Sequence, residues 1–456
     1  MLLAASYYFY ACYQPDLLIL IITTTAVSWL ASNIIARTER PALKRFCLIL
    51  TLVVCFGVLF FYKYFNFLWG SITGIVELMG GTPSDFVLNL VLPVGISFYT
   101  FQTLSYVIDV YRGDVEPEKN PFFYALFVSF FPQLVAGPIE RPDNLIPQLK
   151  EVHKWDNDNA IKGAKHMIVG FFKKICVADL ISVYVNAVYN DVESSTAIGS
   201  VIATCLFAVQ IYCDFSGYTD IAIGAARVMG IRLMKNFDHP YMATTIKEFW
   251  SRWHISLSSW FKDYLYFPLG GSRCSKPRHL MNLMIVFLVS GLWHGASWTF
   301  VIWGAIHGIY QVVGTLTYKS RNKLLGRIGL SERSVGIVWI RRINTFILVG
   351  IAWLFFRANT VSDAFTLLER LFTGWGVGLP ETLEAMGLGT VAILMTVLSI
   401  LTLIMIDRML IHSDGPDGSA ALTKNGSFIY FVWIVVFAWA LLLSKDMMST
   451  FIYFQF

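Results

Sequence analysis

Charge is scarce in this chain. Asp, Glu, Lys and Arg make up 14% of its 456 residues and hydrophobic types 56%, where ordinary soluble domains carry about 25% charged residues. That shortage argues against the string of soluble domains the length alone would suggest and points to an integral membrane protein. The net charge of +5 is not gathered into a stripe, so no nucleic-acid partner is expected. It sits in short basic patches between apolar runs, as cytoplasmic loops of membrane proteins do.

Paired cysteines are missing too. Cys12, Cys47, Cys55, Cys176, Cys205 and Cys213 lie inside apolar runs with no CxxC, so they read as small buried hydrophobes rather than a disulfide frame or a zinc site. Only Cys274, in the polar stretch GSRCSK, reads as an accessible thiol. No GxSxG elbow supports a serine nucleophile, and there is no heptad run, low-complexity tract or long internal repeat. The start MLLAASYYFYACYQ lacks a basic n-region and a clear cleavage site, so the first spans are expected to act as the targeting signal.

Long apolar runs are what the chain has in their place. A bilayer core needs about 20 mainly apolar residues per helix. Runs of that kind near 16–36, 46–69, 88–111, 196–214, 280–298, 299–317, 338–356, 388–407 and 427–444 predict an all-α, multi-pass membrane fold. A shorter stretch, 122–136, is interrupted by Pro132 and reads as a re-entrant or kinked helix, tolerated at that depth only under protein or water cover. Residues 2–12 read as a short helix or the remnant of another span, and 413–426 as a turn-rich loop.

Basic loops set the expected orientation. Arg37, Arg40, Lys44 and Arg45; Lys262, Arg273, Lys276 and Arg278; and the seven basic residues between 317 and 342 are placed on the cytoplasmic side. Residues 159–190, with Lys162, Lys165, Lys173 and Lys174, read as an interfacial amphipathic helix. The stretch 243–267 reads the same way, its Trp and Tyr suiting the interface.

Two histidines stand out chemically. His294 lies in GLWHGASW, between Gly291 and Gly295 and beside Trp293 and Trp298. An ionisable group at membrane depth is a functional candidate by default, and an imidazole withdrawn from water favours the neutral form a general base needs. His254 follows Trp250 and Trp253 in an interfacial setting, where histidine is commonplace. Asp214 and Asp220, with Tyr218 between them, close the apolar run 196–214; they read either as a structural pair holding a turn at Ser216 and Gly217 or as an acid/base device. PLGGSR, with Arg273, could contact phosphate but lacks the P-loop pattern. LVAGPIERPDNL, with Glu140 and Arg141, reads as a structural break, and His307 as structural. No metal site is expected.

These segments together carry a resemblance. QLVAGPIERP, YCDFSGYTDIAIGAARVMGI, FWSRWHISLSSWFKDYLYFPLGGSR and GLWHGASWTFVIWGAIHG make the chain resemble the membrane-bound O-acyltransferase family, in particular its bacterial branch that O-acetylates alginate and peptidoglycan. The resemblance implies one membrane domain over 1–456, with core motifs at about 122–317, and roughly ten or more spanning helices around a funnel or tunnel. It implies His294 as the catalytic residue and His254 as a second important one, with Trp250, Trp253, Trp293, Trp298, Asp214, Tyr218, Asp220 and Arg273 as substrate or tunnel candidates.

The implied donor is a cytoplasmic thioester, acetyl-CoA or an acylated carrier, with no bound cofactor. The implied acceptor is a cell-surface polymer reached with an extracytoplasmic esterase-like, SGNH-type partner, from the bacterial cytoplasmic membrane. Two rival readings remain at this point: a D-alanyl transferase for teichoic acid of the same family, and a proton-coupled transporter, for which the absent internal repeat is unfavourable.

Overall fold

The computed structural model describes residues 1–82, 86–327, 329, 331–411 and 452. The expected loop at 413–426 and span at 427–444 lie outside the described residues. Described residues form helices and turns with no strand among them, and the chain divides into two compact units, 1–163 with 225–234, and 164–224 with 235 onward.

The first unit holds α1 (Leu2–Tyr13), α2 (Leu18–Arg37), α3 (Pro41–Leu78), α4 (Ile96–Arg112), α5 (Pro121–Ser129), α6 (Phe131–Leu134) and α7 (Pro142–Lys150). Proline punctuates it. Pro41, Pro121 and Pro142 each open a helix, where a missing N–H costs nothing because the first turn has no acceptor for it. Asn120 caps α5 by accepting from the Phe122 amide at 2.9 Å. Pro132 has no N–H to give the carbonyl four residues back, so α5 and α6 part at Phe130 and the break expected in 122–136 is present. Nearly all of α5 after its first turn is buried.

The run 88–111 is corrected. Its helix begins only at Ile96, because Gly95 adopts φ +72° and a Cβ there would stand 2.3 Å from the Leu134 carbonyl oxygen. Only glycine fits that approach at that dihedral, and the resulting helix is 17 residues long.

The second unit takes α8 (Asn157–Phe171) from Ala164 onward. A wide π-type turn, Phe172–Asp179, leads into α9 (Leu180–Tyr189), followed by most of α10 (Ala197–Val228), α11 (Ile246–Arg252) and α12 (Ile255–Phe261). After these come α13 (Lys276–His294), α14 (Trp298–Arg327), α15 (Val335–Arg357), α16 (Val361–Arg370), α17 (Leu379–Ala385) and α18 (Thr390–Ile411).

Among the described residues, six helices are long and apolar enough to cross a membrane: Pro15–Arg37, Pro41–Leu78, Ala197–Val228, Trp298–Arg327, Val335–Arg357 and Thr390–Arg408. The protein is an all-α, multi-pass membrane protein.

Four expectations change here. The helix expected to end at 214 continues to Val228, so Ser216 and Gly217 form no turn. The basic residues from Lys319 to Arg327 extend α14 rather than forming a loop. Trp250, Trp253 and Trp260 are buried core rather than interface residues. Cys12 and Cys205 are exposed, while Cys47, Cys55, Cys176 and Cys213 are buried; an apolar helix face in a membrane protein needs no protein neighbour to satisfy it.

One contact sets the position of the α13 end. A Cβ on Gly291 would lie 2.3 Å from the Phe300 carbonyl oxygen, and one on Gly304 2.3 Å from that of Phe287. Small residues facing each other let two helix backbones touch, and this seam fixes α13 just before His294.

Candidate active site

His254 arrives through a turn that side chains normally avoid. α11 stops at Arg252 and α12 starts at Ile255, so Trp253 and His254 form the joint. His254 has φ 44° and ψ 56°, a left-handed conformation that costs a non-glycine residue roughly 1–2 kcal/mol. Such strain persists only where surrounding contacts hold it. Here the ring is fully buried, edge-on to Phe215 of α10 with centroids 4.6 Å apart and 5.8 Å from Trp293.

His294 is the last residue of α13, 3% exposed. Its ring lies 6.3 Å from that of His254, tilted by 61°. Trp293 stands beside both, 5.0 Å from His294. Trp303 and Phe356 close the other sides of His294 at 4.9 and 5.4 Å. Burial pushes the His254 imidazole down to about 3, because desolvation penalises the charged ring; it is neutral at physiological pH.

The enclosure continues to a third histidine. Trp303 and His307, four residues apart on α14, share one helix face and lie 4.9 Å apart. Trp250 donates its indole N–H to His307 Nδ1 at 3.2 Å, which leaves the ring proton on Nε2. Among the described residues, Nε2 of His307 and the indole N–H groups of Trp253 and Trp303 are buried with no hydrogen-bond partner. Trp250, Trp253, Trp293, His254 and His294 are therefore gathered into one buried aromatic body.

Asp214 and Asp220 belong to a different constellation. Lys174 reaches Asp214 at 2.6 Å and Asp179 at 2.9 Å, and Lys173 reaches Asp220 at 2.9 Å. The other Asp214 oxygen accepts from the Ile452 amide at 2.7 Å, and the Tyr212 hydroxyl donates to Asp407 at 3.2 Å. Lys173 is 5% and Lys174 18% exposed, so these two of the four lysines read as interfacial turn inward instead. Buried acids in a membrane protein need such partners. Both carboxylates are ion-paired mid-helix.

The remaining candidates are less enclosed. Tyr218 is half-buried on α10, Trp298 is 54% exposed at the start of α14, and Arg273 is exposed in the turn after Tyr266. In the first unit Glu140 is buried and accepts from the Met234 amide and Asn144 Nδ2, which ties the 137–141 loop to the chain at 232–234. Among the described residues no three His, Cys, Asp or Glu side chains cluster as a metal site would.

The histidine cluster falls within residues 118–355, which match the model of the membrane-bound O-acyltransferase family. The chain belongs to that family.

Its relatives are similar over most of their length. It is 39% identical to "Probable alginate O-acetylase AlgI" of Pseudomonas aeruginosa, over 82% of this chain and 69% of that one. It is 34% identical to "Peptidoglycan O-acetyltransferase" of Helicobacter pylori, over 83% and 74%. Likeness to "Teichoic acid D-alanyltransferase" of Bacillus subtilis is 29% over 48% of this chain and 58% of the other.

In this O-acyltransferase His307, read from the sequence as structural, accepts the Trp250 indole N–H inside the buried aromatic body. Its four-residue spacing from Trp303 is a sequence signal that sets both on one face of α14, where Trp303 in turn meets His294. Lys173 and Lys174 carried no such signal, because hydropathy reports how apolar a stretch is and not which carboxylates its lysines meet.

Proposed function

We propose that this acyltransferase moves an acetyl group from a cytoplasmic thioester, acetyl-CoA or an acylated carrier, across the bacterial cytoplasmic membrane. The acceptor is a hydroxyl, and the product an O-acetylated surface polysaccharide or peptidoglycan. An extracytoplasmic SGNH-type protein completes delivery. The observation that carries this reading is the buried pairing of His254 and His294, rings 6.3 Å apart, inside the family-matched region. The names of the alginate and peptidoglycan relatives support acetyl as the group and a surface polymer as its destination. The family match spans residues of both compact units, which supports reading 1–456 as one functional domain.

The chemistry asked of the site is modest. A thioester is already activated, so the enzyme must deprotonate an acceptor hydroxyl and hold both reactants in line, away from water. His294 takes the hydroxyl proton as the oxygen attacks the thioester carbonyl. The C–O bond forms, the C–S bond breaks, and the departing thiolate takes up the proton that His294 accepted; His254, neutral at physiological pH, orients on that donor side. A positioned base contributes about 10²–10⁴-fold, and alignment of the reactants adds to it. The aromatic body excludes water, and Trp250, Trp253 and Trp293 supply its walls.

The D-alanyl alternative has one support, the shorter match to the teichoic acid enzyme; proton-coupled transport has none from the family. Comparing ester groups released by mild base from envelopes with and without the gene tests the choice. Loss of acetate on deletion is expected. Loss of D-alanine supports the rival, and loss of neither removes the proposal.

A further inference from the structure

The N-terminus of α12 presents a problem that its own first residue does not solve. His254 occupies the N-cap position, and its imidazole makes no capping hydrogen bond to the helix, although the first N–H groups of any helix need acceptors. The acceptors come from elsewhere in the chain. Ile255 N donates to the Asn236 carbonyl at 2.9 Å, and Ser256 N donates to Asn236 Oδ1 at 3.2 Å.

Asn236 is itself held on every side. It is fully buried, accepts from Ser256 Oγ at 2.6 Å and donates through Nδ2 to Thr219 Oγ1 at 3.5 Å. Two residues on, Asp238 N donates to the Arg252 carbonyl at 2.9 Å. The segment 236–238 thus clamps the Trp253–His254 joint from both ends, and Phe237 between them packs edge-on against Trp253 at 5.0 Å.

We infer that Asn236 is a positioning residue for acyl transfer: it caps α12 in place of His254, holds that residue in its left-handed conformation, and so aims the imidazole at Trp293 and His294. This rests on the proposed role of His254. A shared capping residue explains how the backbone at the strained histidine is held without its imidazole serving as the cap.

The experiment measures the initial rate of ester acetate accumulation in envelopes after induction, per amount of full-length protein in the membrane. It compares wild type with Asn236→Ala, Asn236→Asp, His254→Ala and the double variant Asn236→Ala/His254→Ala. Asn236→Ala is expected to lose about 10- to 100-fold, as when a partner that orients a functional side chain is removed. Asn236→Asp keeps the oxygens that accept from Ser256 and can accept from the Thr219 hydroxyl, so it recovers to within about 3-fold of wild type, the carboxylate suiting a helix N-terminus. The double variant matches His254→Ala, because residues acting through one another do not add.

An Asn236→Ala rate close to wild type, an Asn236→Asp rate no better than Asn236→Ala, or losses that multiply in the double variant overturns the inference. A wild-type rate in His254→Ala sinks the reading of His254 itself, and this inference with it. Should His254→Ala fall below detection, the contrast between the alanine and aspartate variants decides. Should Asn236→Ala not accumulate, Ser256→Ala, which removes one donor to Oδ1, takes its place with a several-fold loss expected and no loss contradicting.

Discussion

Trp250 gives its indole N–H to Nδ1 of His307 across 3.2 Å, and both side chains are buried. The bond ties α11, which leads into His254, to α14, which walls His294. Trp250→Phe removes the donor with little change of shape and leaves Nδ1 buried without a partner, a loss of about 1–3 kcal/mol. The thermal unfolding midpoint of the purified protein should fall accordingly. An unchanged midpoint would show that the bond carries no net stability.

The α13–α14 seam gives a sharper contrast. Gly291→Ala drives a methyl toward the Phe300 carbonyl oxygen, whereas Gly314, further along α14, has nothing within 4 Å of an added Cβ. Overpacking of this kind costs about 1–3 kcal/mol. Because His294 follows Gly291 by one helical turn, acyl transfer per molecule should fall as well. Gly314→Ala should leave both properties unchanged, and equal behaviour of the two variants would remove the seam from the account.

Lys173 and Asp220 form a part-buried pair whose single and double variants should differ in order. Lys173→Met leaves an uncompensated carboxylate, a defect that costs about 3–5 kcal/mol in a fully buried pair and less here, where Asp220 is 22% exposed. Lys173→Met/Asp220→Asn removes both charges and should accumulate in the membrane better than the single variant. If the double variant is worse, the pair is not the stabilising unit.

Glu140 predicts a pH effect on the first unit. Burial pushes its carboxyl up to about 7, above an ordinary glutamate, so the folded state holds the proton more tightly than the unfolded chain does. The associated stability is present at low pH and is lost as pH rises through about 7. Thermal midpoints should therefore rise as pH is lowered from about 8 to about 5, and Glu140→Gln should flatten that slope. A slope unaffected by Glu140→Gln would assign the effect to another group.

Much of this was legible in the residues. Apolar length located the helices ending at Arg37 and Arg357 closely, because a bilayer rewards a run of fixed length whatever it packs against. Pro132 announced the break after Ser129, since the missing N–H acts locally. Gly95, by contrast, looked like an ordinary member of an apolar run, because its constraint is the Leu134 carbonyl, distant in sequence. Asn236 escaped notice for the same reason: its partners Thr219 and Ser256 are 17 and 20 residues away. Within the candidate site, the tryptophan-rich settings marked His254 and His294, but tryptophan alone did not separate buried Trp293 from exposed Trp298.

The central claim is that the ring at position 294 removes the proton from the acceptor hydroxyl. The direct measurement is labelled acetyl transfer by membranes carrying His294→Ala at wild-type protein levels and with a wild-type thermal midpoint. A fall of about 10²–10⁴-fold is expected, the share of a general base. Transfer at the wild-type rate by that variant would contradict it.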